Sequence, residues 1–195
     1  MNHVAILGAG DVGRAIGTAL HRTGHAVVFG TRGLDRETDN GLPIRGYREA
    51  LTGARAIVIA VPGFALRDTL RTHAELLDGQ LIIDATNDIE AAQYHQLELF
   101  GEYVPSAKVA RAWCSLGWPN FLEPTIDGEP IDMLWCGPSG RDGDYVDGLI
   151  RGTGLNPVRV GDLGTATIVD MATRLTLSLI FQAGFPHRSG LKLLR

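Results

Sequence analysis

A short apolar run, Val4 to Leu7, stops at Gly8-Ala9-Gly10-Asp11-Val12-Gly13. The glycines at 8, 10 and 13 give the G-x-G-x-x-G spacing. The next stretch has a helical period, with Val12, Ala15, Ile16, Ala19 and Leu20 on one face. Thr23-Gly24 stops that helix, and Ala26 to Phe29 supply a second strand. A glycine triplet alone is an ordinary turn. Between a strand and an amphipathic helix, with another strand behind, it becomes the turn that binds a dinucleotide. Gly8 lets the chain turn tightly, Gly10 lets the backbone approach a pyrophosphate, and Gly13 lets helix pack on strand. The helix N-terminus adds unpaired N–H groups and a partial positive charge.

The end of the second strand selects the dinucleotide. An NAD site usually places a carboxylate there to bind the ribose 2′-hydroxyl. This chain has Gly30-Thr31-Arg32, with Arg36 close behind, and Asp35 and Asp39 come too late for that role. Thr31 can donate to a 2′-phosphate and Arg32 can form a charge-assisted pair with it. Arg32 either does this or is only solvated; the missing carboxylate favours NADP.

Residues 33–43 are too short and polar for a full crossover helix. Pro43 to Gly46 reads as extended and Tyr47 to Leu51 as a helical turn. Ala56 to Val61 is a buried strand ended by Pro62-Gly63, at the sheet edge where ligands lie in open α/β folds. A helix spans Leu66 to Leu77, in which His73 reads as a partly buried face residue. Leu81 to Thr86 is the next strand. Asn87 and Asp88 then serve as helix caps for Ile89 to Phe100, as cofactor contacts, or as both. Lys108 to Trp113 is a sixth strand, and Cys114-Ser115-Leu116-Gly117-Trp118 the loop beyond it. The stretch through Pro119, Pro124 and Pro130 is too proline-rich for regular structure. Asp132 to Cys136 is a strand, Asp144 to Arg151 a helix, and Pro157 to Val160 a final strand.

The 195 residues fit one domain, 1–195: an α/β, Rossmann-type, doubly wound and mostly parallel sheet with a small C-terminal helical portion. That last helix, from about Thr165 to Ala183 and within residues 165–184, is apolar on several sides. A domain this small has little room for it inside, so it is expected at a homodimer interface. Asp170 and Arg174 near its middle argue against a membrane span. A net charge of −4 gives no reason to expect a nucleic-acid partner. The two cysteines, Cys114 and Cys136, are too few and too far apart for a disulfide scaffold or a metal site. With no signal peptide before the first strand, the expected address is the reducing cytoplasm.

Over nearly its whole length the pattern resembles the small NADP oxidoreductases grouped with the NADPH:coenzyme F-420 oxidoreductases. The glycine motif is common to many Rossmann proteins. More specific are Gly30-Thr31-Arg32, Ala60-Val61-Pro62, Asp84-Ala85-Thr86-Asn87, and Arg111-Ala112-Trp113-Cys114-Ser115-Leu116-Gly117-Trp118. The last looks like the family's Lys-Ala-Phe-Asn-Thr-Leu-Gly-Trp. Pro130-Ile131-Asp132-Met133, Cys136-Gly137 and Leu191-Lys192-Leu193-Leu194 continue the likeness.

The resemblance implies that Gly8, Ala9, Gly10, Asp11, Val12 and Gly13 hold the pyrophosphate of NADP(H). It gives the 2′-phosphate to Thr31, Arg32 and Arg36, and places Ala60, Val61 and Pro62 beside the nicotinamide, with Asn87 on the same edge. Trp113, Cys114 and Ser115 would lie near a small-molecule hydride acceptor, either coenzyme F-420 or a flavin. Hydride transfer between two rings needs alignment and exclusion of water, which fits the lack of an obvious acid–base pair. Two departures stand out. Trp113-Cys114 replaces Phe-Asn, and no histidine occurs between His95 and His187. The rival readings are a non-catalytic NADP(H) redox sensor and a reductase of a carbonyl or imine. The reductase needs a proton donor from Ser115, Tyr94, Tyr103 or Tyr145. Cys114 is a reactive thiol or an inert buried one, and the lack of a nearby histidine favours the second.

Overall fold

The apolar run at the start of the chain becomes the centre of the sheet. In the computed structural model, which describes residues 3–33 and 35–194, β1 (His3–Leu7) is followed by α1 (Asp11–Arg22) and β2 (Val27–Thr31). Two short strands, β3 (Arg36–Glu37) and β4 (Pro43–Gly46), lead to the helical turn α2 (Tyr47–Leu51). The chain then crosses back as β5 (Ala54–Ile59), α3 (Leu66–Leu77) and β6 (Leu81–Asp84). A small helix α4 (Glu98–Tyr103) precedes β7 (Lys108–Arg111), and a one-turn helix α5 (Pro119–Leu122) precedes the hairpin β8 (Thr125–Ile126) and β9 (Glu129–Pro130). The last units are β10 (Asp132–Cys136), α6 (Gly140–Gly152), β11 (Asn156–Gly161) and α7 (Ala166–Phe181).

Among the described residues the main sheet runs β11-β10-β7-β6-β5-β1-β2-β4-β3. β1 pairs in parallel with β2 on one side and β5 on the other. The strand order therefore reverses at β1, and the crevice at such a switch point is where open α/β sheets bind ligands. Only β3 against β4 and β10 against β7 are antiparallel within this sheet. The expected doubly wound, mostly parallel fold is the one the chain adopts.

Alternation along β1 explains why both faces are covered. Val4 and Ile6 pack with Ile16, Leu20 and Phe29 in one core layer, while Ala5 and Leu7 pack with Ile59, Leu66 and Leu70 in the other. A strand whose successive side chains face opposite layers must be apolar throughout when helices cover both sides.

Two expectations fail for identifiable reasons. Ile89 to Phe100 is not a helix, and only Glu98–Tyr103 is helical there. Asn87 spends its side chain elsewhere, and the segment is tied to α7 instead: Asp170 Oδ2 accepts the His95 N–H at 2.9 Å, and Arg174 Nη2 donates to the Ala92 carbonyl at 2.6 Å. The proline-rich stretch is also more regular than expected. Pro119 starts α5, where a missing N–H costs nothing. Pro130 sits in a two-stranded hairpin, where no third strand needs its N–H.

Leu163–Phe181 is long and apolar enough by length and composition to cross a membrane. Its inner face is nonetheless docked on the sheet edge. Asp170 lies in a buried ion cluster, and Thr173 and Thr176 donate to the carbonyls of Cys114 and Ser115 at 3.2 and 3.1 Å. Ile168, Met171 and Leu175 point outward, 53 %, 63 % and 49 % exposed.

Candidate functional site

Three strand ends, from β1, β2 and β5, open onto a cleft of about 860 Å³. Gly8, Ala9 and Gly10 form its floor, Thr31 and Arg32 one end, and Ala60, Val61 and Pro62 the other. α2 contributes Tyr47. The outer wall comes from Phe64 and from α3, including the buried Thr69, the exposed Thr72 and the half-buried His73.

The floor is built by close backbone approach. The Gly8 N–H donates to the Gly30 carbonyl at 3.0 Å, and the Ala60 N–H to the Leu7 carbonyl at 2.8 Å. Gly8 has φ +108°, and a Cβ there would lie 2.9 Å from the Ala60 carbonyl carbon. Only glycine fits that position. Gly10 is the opposite case, because a Cβ there would meet nothing within 4 Å. The space above Gly10 is therefore open. Gly10 is also the N-cap of α1, and no side chain caps that terminus. Uncapped helix N–H groups facing an open cleft suit a phosphate. Arg14 Nε holds the turn by donating to the Ala9 carbonyl at 2.8 Å.

At the β2 end, Arg32 is exposed beside Tyr47, and the only carboxylate lining the cleft among the described residues is Asp68, on α3. Burial pushes the Tyr47 hydroxyl above its usual titration range, with Arg32 opposing. Tyr47 packs on His73 with ring centroids 4.5 Å apart, and the backbone of α3 leaves helical geometry at His73. Burial, then Arg48, lowers the His73 titration, so the ring is neutral near pH 7. The sequence carries little sign of this aromatic pair, since Tyr47 and His73 meet only across two helices.

The remaining sequence-expected residues lie apart from the cleft lining. Asp11, Val12 and Gly13 form the first turn of α1, with Gly13 buried. Arg36 is exposed on β3, the outermost strand. Asn87 turns inward, where its Oδ1 accepts from Arg111 Nη2 at 2.7 Å and its Nδ2 donates to the Cys114 carbonyl at 2.9 Å. Trp113, Cys114 and Ser115 are 1 %, 2 % and 1 % exposed, because α7 lies over this loop. Burial pushes the Cys114 thiol up to about 12, which fits the inert alternative. Trp113 adopts φ +56°, and its buried Nε1 has no partner among the described residues.

Behind the β5 side of the cleft lies a charged cluster that sequence reasoning also missed. Arg111 is fully buried, and all five of its N–H donors are used. Nε and Nη2 reach Asp170 Oδ1 at 2.9 and 2.6 Å. Nη1 reaches Asp84 Oδ2 and the Thr86 carbonyl, both at 2.8 Å, and Nη2 also takes Asn87. Burial opposes the Arg111 charge; the negative side chains around it outweigh that and keep it protonated. The available signal was one charge inside each of three apolar runs, a pattern tolerated only when the charges meet.

Comparison with known proteins agrees with this geometry. Residues 3–88 match the family described as NADP oxidoreductase coenzyme F420-dependent. A glycerol-3-phosphate dehydrogenase [NAD(P)+] of Pseudomonas fluorescens is 31 % identical over 143 residues, which is 64 % of this chain and 41 % of the relative. The chain thus spans about two fifths of that relative's length. A candidate F420-dependent NADP-reductase structure from Arthrobacter sp. FB24 superposes with TM-score 0.83 at 22 % identity, over 100 % of both chains. Pyrroline carboxylate reductase of Plasmodium falciparum, solved with NADP bound, gives TM-score 0.64 at 12 % identity over 96 % of this chain and 81 % of that one.

Proposed function

We propose, for a chain whose residues 3–88 match the coenzyme F420-dependent NADP oxidoreductases, that it is an NADP(H)-dependent oxidoreductase passing hydride to a planar acceptor such as coenzyme F-420 or a flavin. The observation that carries the reading is the cleft at the β1 switch point. Its glycine floor meets an uncapped helix N-terminus, with Thr31 and Arg32 at one end and the Val61-Pro62 edge at the other.

In this reading the N–H groups of α1 take the pyrophosphate, and Thr31 with Arg32 takes the 2′-phosphate. Tyr47 and His73 wall the adenosine half. Bound NADPH supplies the hydride; the protein's part is to fix the ring against Val61 and Pro62 and shed water from it. Phe64 is 86 % exposed on the same side, an apolar surface free to face a second flat ring.

Carbonyl or imine reduction finds less support, because none of its candidate proton donors lines the cleft. Ser115 is buried, and Tyr94 lies under Arg174 with the guanidinium 4.1 Å from its ring centre. Tyr103 accepts from Arg67, and Tyr145 packs beneath Arg55. The same reading has α7 pair with a second copy of the chain, since Ile168, Met171 and Leu175 make an exposed stripe at helical spacing. Sedimentation tests that pairing.

The deciding experiment monitors the absorbance of coenzyme F-420 mixed with the protein and NADPH. Rapid bleaching is expected. Tight NADPH binding without consumption, for F-420 and for flavins alike, would overturn the enzyme reading in favour of a sensor.

A further inference from the structure

The buried cluster reaches the cleft through one amide. Arg111 Nη2 holds Asn87 Oδ1, and the Cys114 carbonyl holds Asn87 Nδ2, so that side chain is fixed at both ends. The Asn87 backbone carbonyl presses on Gly63, where a Cβ would lie 2.7 Å from its oxygen. Gln96 Nε2 fastens the same glycine by donating to its carbonyl at 3.0 Å. Gly63 joins Pro62 to Phe64, and both of those line the cleft. A continuous path of contacts therefore runs from Asp170 on α7 through Arg111 and Asn87 to one wall of the site.

We infer that Arg111, acting through Asn87, is a positioning residue that sets the Pro62–Phe64 wall against the nicotinamide half of the bound dinucleotide. This rests on the reading that NADPH fills the cleft with its nicotinamide at the β5 end. Arg111 and Asn87 do not line the cleft, so their effect passes through Gly63. Thr31 and Arg32 lie at the opposite end and share no hydrogen bond with the cluster among the described residues. A loosened Arg111–Asn87 link thus displaces one half of the site and leaves the other in place. The arrangement also favours arginine over lysine at this position. An ammonium offers three donors from one point, enough for Asp84 and Asp170 but too few to keep Thr86 and Asn87 as well.

Two ligands separate the halves: NADPH, and 2′,5′-ADP, which carries the adenosine and 2′-phosphate without a nicotinamide. Both are titrated by calorimetry into wild type, Asn87→Ala, Arg111→Lys and Thr176→Val, and the fluorescence of bound NADPH is recorded. In Asn87→Ala and Arg111→Lys, the affinity for 2′,5′-ADP is expected to stay within about twofold of wild type. NADPH should bind about tenfold more weakly, the scale of one lost charge-assisted hydrogen bond, with a smaller rise in nicotinamide fluorescence. Thr176→Val loosens α7 at Ser115 instead, and should lower the melting temperature while leaving both affinities unchanged. Equal weakening of both ligands, or unchanged NADPH binding in Asn87→Ala, overturns the positioning role. If Arg111→Lys does not fold, Asn87→Ala decides alone, since it leaves all three charges of the cluster in place. Wild type that takes up neither ligand refutes the nucleotide reading itself, and the positioning role falls with it.

Discussion

Replacing Asp170 with alanine isolates what the buried cluster contributes to stability. In the wild type, side chains with 0 % (Arg111), 0 % (Asp84) and 4 % (Asp170) exposure share one positive and two negative charges. The substitution removes the acceptors of three N–H groups: Arg111 Nε and Nη2, and the His95 backbone. Two of these bonds are between charged groups, worth roughly 1.5–3 kcal/mol each, and the third joins a carboxylate to a backbone amide. Breaking a buried pair costs about 3–5 kcal/mol overall. The Arg111–Asp84 pair survives as a neutral unit, so we expect about 4 kcal/mol rather than more. At about 2–4 °C per kcal/mol for a chain of this size, the melting temperature should fall by roughly 8–16 °C. Arg111→Met should be worse, since it leaves two carboxylates facing each other out of water. The assay is urea unfolding at neutral pH in low and in high salt. A buried pair is screened little, so the loss should be nearly salt-independent. A cost for Asp170→Ala below about 1 kcal/mol, the scale of an exposed pair, refutes the reasoning. So does an Arg111→Met protein more stable than Asp170→Ala.

Four further outcomes can be checked. Arg32→Ala should weaken NADPH by roughly 1.5–3 kcal/mol while scarcely changing NADH, and equal loss of both would remove the 2′-phosphate assignment. Gly10→Leu should abolish binding of both dinucleotides by filling the open space above the floor; calorimetry showing retained binding would mean that phosphate does not sit there. Cys114, with its thiol held up to about 12 by burial, should resist iodoacetamide at mildly alkaline pH until the protein is unfolded, and rapid labelling of the native state would contradict the packing of α7. His73 titrates lower folded than unfolded, so the unfolded chain binds its proton first. Its contribution to stability should be whole above the ordinary histidine value of 6.5 and fade as pH falls through and below it. Urea midpoints in His73→Phe should lose that part of the acid sensitivity.

The legible parts of this molecule were those specified by near neighbours. Val4–Leu7 with the glycine turn, the Leu66–Leu77 helix and the Asp132–Cys136 strand could be read because period and stop signals sit within a few residues of each other. The cleft floor, Thr31-Arg32 and the Val61-Pro62 edge were legible for the same reason, since all are strand ends. What could not be read depended on chain far away. Asn87 has the chemistry of a helix cap, but a guanidinium 24 positions along takes its oxygen. The 113–115 loop sits beyond a strand end, where a ligand would be expected, yet a helix about 60 positions later covers it. Asp170 stands out in the sequence only as a charge in an apolar run. Its partner lies 59 positions earlier, in another apolar run, and nothing local to either run pairs the two.

That separation has a consequence for how the chain is made. Every residue lining the cleft lies at or before position 73, so the floor and both ends leave the ribosome ahead of Arg111 and α7. Arg111 emerges next with Asp84 already available, but Asp170 emerges 59 positions later. At about 5–20 residues per second that interval is roughly 3–12 s, during which two guanidinium donors and the carbonyls of Cys114 and Ser115 face solvent. In that interval the residues of the glycine turn are all present while the polar partners of α7 are not yet covered, and the arrival of α7 closes that seam.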